Sequence, residues 1–83
     1  MNKYDPLNKY LSQQKSIKVI LSFSEIETII NAKLPVSAHY YPQWWSNSRT
    51  KAHPYCKAWI DSGYHTVGVK ESLEKKIITF EKQ

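Results

Sequence analysis

The chain has 83 residues, enough for one domain with a small, dense core. Twelve Lys and Arg outweigh seven Asp and Glu for a net charge of +5, and three Trp, six Tyr and two Phe accompany a single Cys. Such a composition excludes a disulfide-stapled scaffold and a low-complexity chain, and no apolar run approaches the roughly 20 residues of a membrane span.

The positive surplus suits an anionic partner, although solubility alone accounts for a surplus of this size. Met1-Asn2-Lys3-Tyr4-Asp5-Pro6 has no apolar stretch of a signal peptide. With the lone Cys56, this leads us to expect a cytoplasmic protein with no membrane contact.

A first helix is predicted to start at Asp5 as its cap, with Pro6 in the first turn and Leu7, Tyr10 and Leu11 along one stripe. Ile17–Leu21 reads as a strand with Ile17, Val19 and Leu21 on one face and Lys18 and Ile20 on the other. Ser22 and Glu25 have the spacing of a capping box, with Leu21 and Ile26 at the two staple positions. A second helix should therefore run from Phe23 to about Ile30, stopped by Asn31.

From Leu34 the chain restarts. Ala38, Tyr41 and Trp45 share a helical face with Tyr40 and Trp44 on its shoulder, and Pro42 should split the stretch. Ser46 to His53 is a polar loop. Pro54 opens a further helix carrying Tyr55, Cys56, Ala58, Trp59 and Ile60, closed by Gly63. Tyr64–Lys70 and Lys76–Glu81 are rich in β-branched and aromatic residues and read as strands joined by a hairpin loop, Glu71–Lys75. The expected architecture is α+β, a winged-helix-like single domain over residues 1–83, with a three-stranded antiparallel sheet against three to four helices.

The acidic residues each have an ordinary role as a cap or solubilising charge, and no nucleophile elbow, phosphate loop or metalloprotease motif is present. No enzyme activity and no cofactor are expected. His53, Cys56 and His65 could be imagined around a metal, but they lack the paired spacing and the fourth ligand of a zinc site, so none is expected. Cys56 reads more simply as a small buried residue.

The informative stretch is aromatic. Adjacent Trp44 and Trp45 point about 100° apart on a helix, so one should pack and the other lie at least partly open. Packing from two sides of a small core accounts for the pair. So does a platform on which bases stack. Arg49, Lys51, His53 and Lys57 follow with positive charge, Ser46 and Asn47 with short polar groups, and Lys75 and Lys76 lie on the predicted wing. In winged-helix order the helix from Pro54 stands in the recognition position, with the basic loop at its N-terminus. Tyr55, Trp59 and Ile60 leave it less polar surface than such a helix normally exposes.

Several segments also resemble a widespread small prokaryotic domain of unknown function: Lys3-Tyr4-Asp5-Pro6-Leu7, Phe23-Ser24-Glu25-Ile26, Trp44-Trp45-Ser46-Asn47, Ala58-Trp59-Ile60-Asp61-Ser62-Gly63-Tyr64 and Thr79-Phe80. The likeness spans nearly the whole chain and departs at Pro42 and in an extended loop from Ser48 to Ala52. Domains of that kind occur alone or beside nuclease-like and restriction-type modules, so the resemblance implies DNA-related work. The expected activity is nucleic-acid binding, with DNA first. The alternative is a protein-interaction module regulating or inhibiting a larger complex, and either a monomer or a homodimer fits.

Overall fold

The computed structural model describes residues 3–48 and 54–83. Helix α1, Asp5–Ser12, is capped by Tyr4, so Asp5 takes the first helical position where it was expected to be the cap. Its carboxylate still lies at the positive pole of the helix, and Pro6 occupies the first turn. Leu7 and Leu11 are buried.

Strand β1, Lys18–Ser22, alternates as predicted, with Val19 and Leu21 inward. Ile17 falls just before the strand and is 72% exposed, while Ile20 on the outer face is 55% exposed. Ile17 thus joins the margin of the sheet, outside the core, where it was expected to pack.

The capping box forms in full. Ser22 Oγ accepts the Glu25 N–H at 3.0 Å, and Glu25 Oε1 accepts the Ser22 N–H at 2.8 Å. Helix α2, Phe23–Ile30, follows, burying Phe23, Ile26 and Ile30, and ends at Asn31 in the left-handed region with φ 54. Glu27 then reaches forward to accept the Leu34 N–H at 2.8 Å.

Pro42 divides the next stretch as its missing N–H requires, into helix α3, Val36–Tyr40, and a 3-10 turn, Pro42–Trp45. Beyond residues 49–53, the expected single helix from Pro54 is a 3-10 turn, Pro54–Cys56, leading into one turn of α-helix, α4, Lys57–Ile60. Gly63, at φ 90, closes it. Strand β2, Tyr64–Val67, comes next.

The expected hairpin loop at Glu71–Lys75 is helical. Helix α5, Val69–Ser72, runs into a 3-10 turn, Leu73–Lys75, before strand β3, Ile77–Lys82. Val69 and Leu73 are four residues apart and both pack on the core, which gives this segment a helical period.

The sheet is three-stranded and antiparallel in the order β1-β3-β2. Lys82 donates its N–H to the Ile17 carbonyl at 2.7 Å, extending the β1–β3 register. By antiparallel alternation, Val19 and Leu21 then turn their amides to β3, and Lys18 and Ile20 turn theirs to the open edge. On the other side Gln83 donates to the Gly63 carbonyl at 3.0 Å, so Tyr64 and Thr66 turn their backbone amides to the outer edge of β2 while their side chains are buried. The helices cover one face, enclosing Trp45, Trp59, Tyr64, Ile78 and Phe80, each 1% exposed or less.

Candidate functional site

The residues singled out in the sequence separate into two regions. Arg49, Lys51 and His53 lie outside the described residues. Trp44, Ser46, Asn47 and Lys57 flank them in the chain, whereas Lys75 and Lys76 lie at the turn before β3.

Trp44 and Trp45 are both buried, at 7% and 1% exposure, so neither is the open member of the pair that was expected. A 3-10 turn sets successive residues about 120° apart, and here each direction meets a wall. Trp45 stacks on Phe23 with centroids 5.7 Å apart and donates Nε1–H to the Ala38 carbonyl at 2.8 Å. Trp44 stacks on Tyr55 at 4.2 Å and 11°, with Tyr4 edge-on at 5.8 Å. Its ring faces the protein, where a base would need it open.

Asn47 acts as a clasp. Its Oδ1 accepts the Trp59 Nε1–H at 3.0 Å and the Thr66 N–H at 2.9 Å, while its Nδ2 donates to the Thr66 carbonyl at 3.0 Å. The amide thus pairs with the outward-facing backbone of β2 as a neighbouring strand would. The Thr66 hydroxyl completes the tie by donating to the Trp45 carbonyl at 2.7 Å. Ser46 Oγ is engaged locally, accepting the Ser48 N–H at 3.2 Å.

Lys57 is exposed at the start of α4, beside a cleft of ≈ 240 Å³ whose walls include Tyr4, Asn8, Asp5 and Asp61. The two carboxylates make this wall mixed in charge. Helix α4 buries Ala58 and Trp59, so the element in the recognition position belongs largely to the core. Cys56 is fully buried and directs Sγ to the Ser48 carbonyl at 3.4 Å, while half-buried His65 lies on the sheet face opposite Tyr64 and Thr66. Among the described residues, no group of three His, Cys, Asp or Glu could hold a metal ion.

Burial pushes the Tyr4 phenol above its ordinary value of 10.0, and nearby Tyr55 adds to the shift. Burial likewise raises Tyr55, with Cys56 contributing. Because the fold favours the neutral phenols, their contribution is intact below pH 10 and is lost as the pH climbs through the raised folded values. Urea midpoints should therefore fall as the pH rises above about 10, and Tyr4→Phe should flatten that fall.

The second region, around Lys75 and Lys76, also holds tyrosines that were not singled out in the sequence. Tyr40 and Tyr41 are 67% and 59% exposed. Pro42 ends α3 after Tyr40 and leaves Tyr41 extended at φ −118, ψ 110, which turns Tyr41 off the buried face expected for it. Beside Tyr40, Lys76 Nζ lies 5.3 Å from the ring centroid of Tyr40 and 5.7 Å from that of Phe23, and 3.4 Å from His39 Nδ1. The Lys76 carbonyl accepts the Phe23 N–H at 2.9 Å, pinning its backbone.

The molecule is thus a small α+β domain in which an aromatic cluster and an asparagine clasp organise the core, leaving exposed Tyr40 beside a lysine-bearing turn. Its sequence matches the family described as Domain of unknown function (DUF7662) over residues 4–82, and the chain belongs to that family. No curated protein and no solved structure matches it. Among the described residues, no helix is long and apolar enough to cross a membrane.

Proposed function

We propose that this domain is a nucleic-acid-binding module without catalytic activity, and that DNA is its ligand. The observation that carries the reading is the corner where exposed Lys76 stands beside exposed Tyr40, with exposed Lys75 preceding it in the turn, on a chain of net charge +5. Charge recruits the phosphate backbone and an aromatic face receives a base, the pairing of features that nucleic-acid sites use. The sheet order β1-β3-β2, with helices between β1 and β2, supports a winged-helix-like reading of the fold. The mode we favour differs from major-groove reading by a helix, because Ala58 and Trp59 turn α4 inward. Implied kinship with domains beside nuclease-like modules points the same way.

Fluorescence anisotropy with labelled single-stranded and duplex oligonucleotides at two salt concentrations tests this. Binding should weaken steeply as salt rises. Absence of binding to either ligand at low salt would refute it. Replacing Arg49 and Lys51 together by Glu asks whether the loop predicted from sequence shares in the contact.

A second reading, a protein-interaction module, is favoured by the open edge of β1. Among the described residues, nothing outside the sheet bonds to the Lys18 or Ile20 backbone, and Ile17 and Ile20 are exposed there. Two copies could join these edges in antiparallel fashion. A sedimentation coefficient that stays monomeric at high protein concentration would dismiss that pairing.

A further inference from the structure

We infer that the groove between the end of α3 and the turn Leu73–Lys76 receives an unpaired base of single-stranded nucleic acid, stacked on Tyr40, with the adjoining phosphate on Lys76. The inference rests on the nucleic-acid reading and makes it specific.

The groove, ≈ 320 Å³, is lined by His39, Tyr40, Leu73, Glu74 and Lys76. One exposed tyrosine needs no explanation by itself. The group beside it does. Lys76 is held by its carbonyl bond from Phe23, by two aromatic rings and by His39, an unusual degree of fixation for an exposed lysine. Its backbone is also left-handed, at φ 57, a conformation that Gly and Asn adopt at least cost. The other left-handed non-glycine residue among those described is Asn31, the ordinary choice for a helix stop. At Lys76 a long cation stands where a smaller residue would strain less, and its ammonium is fixed against Tyr40.

Tyr40 is 67% exposed and lines the groove together with Lys76, so its ring is accessible to a base there. Stacking requires a free base face, which a paired base inside a duplex does not present, so the ligand is single-stranded. Leu73 supplies an apolar floor. Glu74 on the rim opposes a phosphate, so its removal should strengthen binding.

The test uses the intact chain and an oligothymidylate of about twelve nucleotides, set against a duplex of the same length. Wild type should prefer the single strand. Tyr40→Ala should lower its affinity about five- to a hundredfold, and Tyr40→Phe should preserve it. Lys76→Asn, which suits the left-handed backbone, should keep the melting temperature, weaken binding and reduce the salt slope by about one. Glu74→Gln should tighten binding severalfold at low salt. Equal binding of strand and duplex, unaltered by Tyr40→Ala, would overturn this inference while leaving the broader reading in place. Failure of both oligonucleotides to bind would remove the two together.

Discussion

Replacing Asn47 with alanine is expected to lower the unfolding free energy by about 2–4 kcal/mol, a large share of the roughly 5–15 kcal/mol typical of a domain. The side chain binds Trp59 Nε1–H, the Thr66 N–H and the Thr66 carbonyl at once. Its loss strips a partner from an indole that is itself 1% exposed and frees the edge of β2. Water can reach part of this site, because Asn47 is exposed, and that keeps the figure below the sum of three buried losses. Asn47→Asp separates the contributions. It preserves the two acceptor contacts but replaces the donor to the Thr66 carbonyl with a negative oxygen, so it should fall between wild type and alanine. Chemical denaturation of the three proteins gives the ranking, and an alanine variant within about 0.5 kcal/mol of wild type would show the clasp to be incidental.

Trp45→Ala should cost about 3–5 kcal/mol, equivalent to a fall in melting temperature of about 12 °C or more. The indole stacks on Phe23, lies 5.8 Å from Trp59 and 4.7 Å from Trp44, and donates to the Ala38 carbonyl. Truncation leaves a cavity among rings too large to close it, together with an unpaired carbonyl. Trp44→Ala should cost less, since Trp44 packs at the margin against Tyr4 and half-buried Tyr55 and makes no comparable central contact. Thermal melts of the two variants, measured side by side, check the order.

Features legible in the sequence were those written by neighbouring residues. The Ser22–Glu25 box, the Asn31 stop, the break at Pro42 and the turn at Gly63 each depend on backbone chemistry within a few positions, and each is realised. Composition misled at residues 69–75. The β-branched and aromatic run from Tyr64 suggested a strand as far as Lys70 and a loop over Glu71–Lys75, while Val69 and Leu73 answered to a core that only the assembled sheet provides.

The site was less legible for a similar reason. Asn47 looked like a polar group available to a ligand, because its partners lie 12 and 19 positions away. The openness assigned to one tryptophan belongs to Tyr40 and Tyr41, exposed because Pro42 halts α3 before their faces can be buried. The pairing of Lys76 with His39 joins residues 37 positions apart, which no local pattern announces.

The two margins of the sheet differ in a way that limits assembly. Any strand-to-strand growth needs two receptive ends per molecule, one to accept and one to offer. Asn47 already fills the position at Thr66 that an incoming strand would take, so β1 is left as the receptive margin. Monomers joined through β1 would have no second end to extend from. Growth would terminate at a pair, and the clasp that steadies the core would also act as a chain stopper against fibres.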